Sequence, residues 1–530
     1  MALLALPQTL ILPTLLLPIL ALVYSHFQPP IRRNGVPIPK APDTLPLLGN
    51  ALHFLRPRQD LLAWFTACER RFPHQTLQIS VPTVGTGVIV SSPANVDFVL
   101  RNEGVFSKGE FVKSRSLDLF GHGIINVDGE PWRRQRKAGL AFLSAANLRV
   151  LTEVALPKYL GESVDALRRK VDAGEVDGGG RGAEVDMQSV FHEITTRLMG
   201  RTAYGMDMHA DDEFTLAFEY ASGVTAERFQ NPLWRVTELL FGARFRRALA
   251  VVRNHGHVIV RSAIESRASE SREGNKERVE KEEAGDIPGV ISGSLVRSLL
   301  DSIGDERLVA DAALNYLSAG RDTTAQALTW TLHLLTRHSD EVSLVRREVE
   351  SILRSSATNT YSPSSPDPSL FTPTSAPYTL AVLYEGLRLY PPVPIEIKQT
   401  TRSTTLPDGT HLPTGSVVLW STWSMNRSLE TWGPSADSFL PSRWLSRDEP
   451  PRFFNRSAGE FPVFNGGPRV CLGKKMAEAV GVQVLAVMLW LFEFESEDVE
   501  RRSPSSLTLP MEGGLPCFVR RRSFDGWGDV

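Results

Sequence analysis

Cysteine is scarce in this chain of 530 residues: there are 3. They are Cys68, Cys471 and Cys517, and none belongs to a Cys-x-x-Cys pair. So few thiols exclude a disulfide framework and point to a reduced, cytosol-facing protein. A basic excess is missing too, with 58 Lys and Arg against 60 Asp and Glu. That excludes the electrostatic footprint of a nucleic-acid binder. No internal repeat is evident. No G-x-G-x-x-G stands in a strand-to-helix context, and the glycine-rich "VDAGEVDGGGRGAEVD" (171–186) has no such context either, so no phosphate loop is expected there. What remains, 42% hydrophobic and 22% charged residues, is the composition of a globular protein.

Formal charge is also absent from everything before Arg32. "MALLALPQTLILPTLLLPILALVYSHF" (1–27) exceeds the ~20 apolar residues that cross a bilayer, and no basic residue precedes it as in a cleaved signal peptide. The segment is therefore expected to be a transmembrane anchor. Pro7, Pro13 and Pro18 would kink it, and Arg32 and Arg33 would keep the remainder cytosolic. "QPPIRRNGVPIPKAP" reads as a stiff basic spacer, giving a linker over 28–44 and a body over 45–530. On this topology the sequons at Asn426 and Asn455 stay unglycosylated.

Within the body, three stretches are expected as surface insertions: 171–186, the mixed-charge run 265–286 and the Ser/Thr/Pro-rich 354–377. The proline-free "DERLVADAALNYLSAGRDTTAQALTWTLHLLTRH" (305–338) has helical apolar spacing and charges suited to the helix dipole at both ends. So long and apolar a helix runs through a core. "APYTLAVLYEGLRLYPPVP" predicts a second helix, stopped by Pro391 and Pro392. The β-like runs "TLQISV", "TGVIVSS", "SVVLWS" and "CFVRRR" are short and few. The fold class is mainly α with small β-sheets.

"FNGGPRVCLG" (464–473) fits F-x-x-G-x-R-x-C-x-G through Phe464, Gly467, Arg469, Cys471 and Gly473. A cysteine thiolate serves as an iron ligand when its pKa is lowered and it is sheltered from oxidation. Gly466, Gly467 and Gly473 allow a tight turn and close approach to a flat cofactor. The following "CLGKKMAEAVGVQVLAVMLWLF" starts a helix whose N-terminal dipole favours a thiolate. Taken alone, the stretch is equally an inert buried cysteine in a loop.

Three further patterns decide between these. "YEGLR" places Glu385 and Arg388 on one helix face, with Arg443 later in "FLPSRW"; "AGRDTT" sets Asp322 and Thr323 mid-way along the long helix; "WRRQRK" spaces Trp132 and Arg136 by four. With the cysteine stretch, and in their order along the chain, they resemble the cytochrome P-450 superfamily of haem-thiolate monooxygenases, over residues from about 45 to the end. The resemblance implies a mostly α, triangular domain with the long helix crossing over haem b and the cysteine loop beneath it. It makes Cys471 the axial ligand and Glu385, Arg388 and Arg443 the structural triad. Ser442 and Trp444 stand where relatives usually have an acidic residue and Phe. Asp322 and Thr323 are expected over the haem, Thr323 opening the helix to hold water and Asp322 feeding protons to dioxygen. Arg469, Trp132 and Arg136 would reach the propionates. Lys398 stands where many relatives have arginine or histidine and would keep the charge without bidentate geometry.

The implied reaction puts one oxygen atom of O2 into a C–H bond and needs electrons from a separate NADPH-dependent flavoprotein reductase at the endoplasmic reticulum. Arg133, Arg134, Lys137, Lys474 and Lys475 form an expected basic docking patch for it. The motif contexts look most like the branch that oxidises alkanes and fatty acids at or near the chain end. The expected pocket segments are 106–125, 316–323, 393–396 and 511–515. Tailoring oxidation of a polyketide or terpenoid stays open, because fold and chemistry do not fix substrate. So do a haem-thiolate isomerase or dehydratase, against which Asp322 and Thr323 argue, and a non-catalytic haem sensor or electron carrier.

Overall fold

The structure, a computed structural model, describes residues 30–81, 85–176, 182–231, 233–272, 294–355 and 364–524. Its axis is the helix Glu306–Leu335. Asp305 caps it, its carboxylate accepting from the backbone N–H of Arg307 and Leu308 at 2.9 and 3.1 Å. From Val309 onward nearly every turn is buried on all sides, which is how a helix at the centre of a large core reads. Helices Met187–Met199, Ala243–Arg272, Pro377–Leu389 and Lys474–Leu491 pack around it.

Three small sheets border this helical body. The five-stranded one runs in the order Leu77–Val81, Gly85–Ile89, Val417–Trp420, Glu396–Thr400, Phe106–Ser107. The strand Glu396–Thr400, not foreseen from sequence, sets Lys398 opposite Val418. The mainly α architecture matches the expectation. Two segments differ. Residues 31–41, read as a spacer, are woven into the body: Arg32–Arg33 pairs with Thr410–Leu412, and Ile31, Ile38 and Ala41 are buried. Proline there marks sheet-edge and turn positions rather than a free rod. Residues 171–186 are not wholly an insertion, since Leu156–Val176 continues as helix and Ala183–Asp186 pairs with Pro516–Arg521. Buried Val171 and Val185 tether both ends. The expected anchor 1–27 and most of 265–286 lie outside the described residues. Among the described residues no single helix is long and apolar enough to cross a membrane.

The triad is a buried charge network. Arg388 and Glu385 form a two-pronged pair, both bonds 2.8 Å, with side chains fully inaccessible. Arg388 also donates to the carbonyls of Asn426, Ala436 and Ser438. Arg443 Nε reaches Glu385 Oε1 at 3.0 Å, and the Leu440 N–H donates to the same oxygen at 2.9 Å. Trp444 Nε1 donates to Glu385 Oε2 at 2.9 Å. Burial alone would raise the Glu385 pKa, but the hydrogen bonds and charge of Arg388, with Arg443, hold it below the ordinary carboxylate value. Trp444 therefore adds a donor that phenylalanine lacks. Ser442 is exposed. Asn426 is fully buried, its amide donating to the Arg388 carbonyl, so the folded chain offers no sugar acceptor there.

Removing the carboxylate would strand two buried guanidinium groups. Glu385→Ala is expected to lower unfolding free energy by roughly 3–5 kcal/mol. Trp444→Phe should cost about 1.5–3 kcal/mol, the range for a hydrogen bond to a charged group. Urea denaturation of both variants measures this, and unchanged midpoints would refute the assigned role.

Candidate active site

Cys471 closes the loop that precedes the helix Lys474–Leu491. Its backbone N–H donates to the Phe464 carbonyl at 2.7 Å, so Phe464 and Cys471 are the two posts of the turn. Gly467 sits between them at φ +58, where an added Cβ would come within 2.3 Å of the Leu100 carbonyl oxygen. Only glycine fits this close, left-handed position. Cys471 is exposed by surface area, yet its thiol behaves as deeply buried. Both hold because its exposure is to an internal cavity of about 540 Å³ that it lines. Burial pushes the thiol pKa up, while the N–H groups of Gly473 and Lys474 and the charges of Arg136 and Lys474 act against it. The sulfur is thus aimed into a cavity with two backbone donors behind it.

One wall of that cavity is electrically rich. Arg469 donates to Val127 O and to carboxylates of Glu103 and Asp128 at 3.0, 3.0 and 2.8 Å. Its guanidinium lies 4.5 Å from the Trp132 ring centroid, and that of Arg136 lies 5.6 Å from the same centroid. Arg136 also donates to the Val470 carbonyl at 3.0 Å, tying helix Gly129–Phe142 to the cysteine loop. Lys398 is buried, and burial, then Lys108 and Arg469, push its pKa down to about 7. Its ammonium has no hydrogen-bond partner among the described residues, and Arg469 Nε is a buried donor left unpaired. Lys108 pairs with Glu396 at 3.8 Å and Lys113 with Asp128 at 2.7 Å. Five basic groups, of which Lys398 is only partly charged at neutral pH, thus face three carboxylates. Trp132, Arg136, Lys398, Phe464, Arg469, Cys471 and Gly473 all line the cavity. The carboxylates of Glu103, Asp128 and Glu396 were not legible in the sequence, since their partners lie on other elements.

The central helix supplies the opposite wall. Thr323 lines the cavity, and its hydroxyl donates to the Ala319 carbonyl at 2.8 Å. The helix stays α through this point, so the expected local opening is not present: the side chain satisfies itself against the preceding turn. Asp322 is not on the cavity wall. It is buried against Arg321, whose Nε lies 2.6 Å from its Oδ1, and Arg321 in turn reaches Thr215 Oγ1 at 2.8 Å. Asp322 turns onto Arg321, while its neighbours Thr323 and Thr324 both line the cavity. Gly467, expected at the cofactor, packs on the Leu100 backbone instead, whereas Gly473 does face the cavity. The segment 511–515 does not line the cavity: Met511 is buried and bonded to Gln188, Leu515 is buried and Glu512 is exposed, and the loop 505–508 takes its place in the lining.

A family model described as Cytochrome P450 matches residues 39–518. The chain belongs to the cytochrome P450 family. Among curated proteins it is similar to Cytochrome P450 94A2 of Vicia sativa, 29% identical over 93% of each chain. Cytochrome P450 94B1 of Arabidopsis thaliana is 31% identical over 91% of this chain and 92% of its own. Membership makes this protein a haem monooxygenase, with haem b as cofactor. The residues fit that group. The inward sulfur, the unpaired Arg469 Nε, the buried Lys398 and the excess of basic groups over carboxylates suit an iron ligand and two propionates.

Cys471→Ala is expected to abolish the thiolate–CO spectrum of the reduced protein; a normal spectrum in that variant would refute the ligand assignment. Lys398 gives a pH dependence. Its pKa is about 7 folded against 10.5 unperturbed, so between these values the unfolded chain holds a proton that the folded chain lacks. Raising pH over that interval stabilises the haem-free fold but removes charge a propionate would meet. Haem retention, read by transfer to a haem-scavenging apoprotein, should weaken from about pH 7 upward. Lys398→Arg, always charged, should flatten the slope; the wild-type slope persisting in that variant would count against Lys398.

Proposed function

We propose that this protein hydroxylates a fatty acid or alkane at or near the chain end, at the endoplasmic reticulum membrane with residues 1–27 as anchor. The supporting observation is the cavity. Its lining is dominated by side chains such as Ile79, Val81, Phe111 and Ile395, and Cys471 lies on its floor. Such walls bind hydrocarbon by excluding water and hold no carbonyl or hydroxyl in one position. That suits a flexible aliphatic chain better than a polyoxygenated ring system.

When bound, haem supplies the iron at which dioxygen is reduced and cleaved, with thiolate ligation favouring O–O cleavage. The balance is one C–H bond, O2, two electrons and two protons giving one C–OH and one water. The chain's own part is positional. Trp132, Arg136, Lys398 and Arg469 hold the cofactor's acidic edge, and the apolar walls keep bulk water from the reacting carbon. Thr323 commits its own proton to Ala319, so its oxygen is free to accept a hydrogen bond from a water or a proton donor on the cavity side. Asp322, held by Arg321, can serve as a proton source only after leaving that pair.

The electrons come from a separate NADPH-dependent flavoprotein reductase in this reading. Of the five basic residues expected to dock it, Lys474 is turned inward, its ammonium 5.4 Å from the Phe464 ring centroid and 3.9 Å from Glu478. Arg133 and Arg134 share Glu130. Lys137 and Lys475 are exposed and are the stronger docking candidates.

Reconstitution with reductase, NADPH and straight-chain substrates tests the reading. A terminal or near-terminal alcohol with matched NADPH consumption is expected. Turnover confined to a terpenoid or polyketide would replace it with a tailoring role, and turnover without NADPH with an isomerase or dehydratase. Lys137→Glu with Lys475→Glu should raise the apparent KM for reductase several-fold at low ionic strength; an unchanged KM would remove the docking assignment.

A further inference from the structure

The cavity has a second cationic region. Arg58, the first residue of helix Arg58–Arg71, lines it beside Phe54 and Leu61. Its guanidinium donates to the carbonyls of Pro504 and Ser506, on a loop that itself lines the cavity. These carbonyls satisfy N–H groups but do not neutralise the charge. No carboxylate pairs with Arg58 among the described residues, and burial is the sole influence on its pKa, which falls to about 10. It therefore remains cationic at neutral pH. Arg58 is half-buried, and a cation partly withdrawn from water gains by meeting an anion.

The surroundings add hydrogen-bonding capacity. Ser506 Oγ lies 3.2 Å from Ser222 Oγ, and the Leu507 N–H donates to Ser222 Oγ at 3.4 Å. Both serines line the cavity. The contacts of this polar corner run among Arg58, Pro504, Ser506, Leu507 and Ser222, and none of them is to Arg469, Lys398 or Cys471. The lining also includes Leu61, Ile79, Val81, Phe111, Ala226 and Phe229. The cavity thus combines a thiol floor, apolar walls and one uncompensated cation apart from the floor.

We infer that Arg58 anchors the carboxylate of an apolar acid substrate, leaving the far end of its chain to approach Cys471. A guanidinium meets a carboxylate through charge-assisted and geometrically matched bonds. The inference rests on the chain-end reading above and resolves it toward fatty acid rather than alkane.

Spin-state titration of the haem-loaded full chain tests it, using dodecanoic acid against dodecanol and farnesoic acid against farnesol. The wild type should prefer each acid it binds. Arg58→Met should cut the acid-over-alcohol preference roughly ten- to hundredfold, the worth of a hydrogen bond to a charged group. Arg58→Lys should keep part of it, and an intact thiolate–CO spectrum shows that the variants are folded. A plain staple of the loop 504–508 would weaken acid and alcohol alike, which would overturn the role of Arg58 and leave the chain-end reading standing. Arg58-dependent binding of farnesoic acid without binding of either dodecyl compound would support Arg58 and overturn the straight-chain reading. No Arg58-dependent preference in either pair would overturn the anchor.

Discussion

Everything at the site hangs from the carboxylate of Glu385. It is fully buried and shared by Arg388, Arg443, Trp444 and the Leu440 N–H. These partners come from the helix Pro377–Leu389 and from residues 440–444, so the pairings fix the irregular chain after Trp432 against a rigid element. The same helix carries Tyr384, whose ring packs on Phe461 and Phe464 and whose hydroxyl bonds to Glu478. Phe464 is the residue that receives the Cys471 N–H. A chain of contacts therefore runs from Glu385 through Tyr384 to the cysteine turn. An irregular loop aims a sulfur reproducibly only when its neighbours have no freedom, and buried charge pairing supplies that rigidity at a desolvation cost which a purely apolar core would avoid.

The site divides its electrostatics by function. The wall near Cys471 concentrates cations that are partly neutralised by Glu103, Asp128 and Glu396. Partial pairing matters, because five unopposed cations in a low-dielectric wall would repel one another strongly. The remaining positive charge suits an anionic cofactor edge. Across the cavity the central helix offers hydroxyl side chains, Ser318, Thr323 and Thr324, and keeps its carboxylate, Asp322, turned onto Arg321. An ionised carboxylate facing the apolar cavity would cost desolvation, and its pairing with Arg321 avoids that cost.

What was legible in the sequence was what is local. Cys471, Arg469 and Phe464 fall within one turn, Glu385 and Arg388 within one helical turn, and Trp132 and Arg136 on adjacent turns, so fixed spacing reports their geometry directly. The errors have geometric causes. Asp322 adjoins Thr323 in sequence but is rotated ~100° from it on the helix. Gly467 belongs to the cysteine motif but serves the contact with Leu100 rather than the cavity. The pocket segment near the C-terminus was displaced by several residues, because no periodic signal marks which part of an irregular loop turns inward. Residues 31–41 looked like a spacer from their prolines, yet the pairing of Arg32 and Arg33 with Thr410–Leu412 spans most of the chain.

The same distinction separates chemistry from selectivity. The groups that hold cofactor and sulfur sit in compact motifs, because their mutual geometry must be kept within tenths of an ångström. Arg58 meets Ser506 across 448 positions of sequence, and Ser222 meets Ser506 across 284. Arg58 begins a helix and Ser506 lies on a loop, where substitution costs the fold little, while Ser222 is buried mid-way along helix Glu213–Gln230. A catalytic apparatus encoded locally and a substrate corner assembled from distant segments can change independently. That is why the reaction class is readable from a few short strings of residues, while the identity of the substrate depends on which side chain the tertiary fold leaves charged and unpaired in the cavity wall.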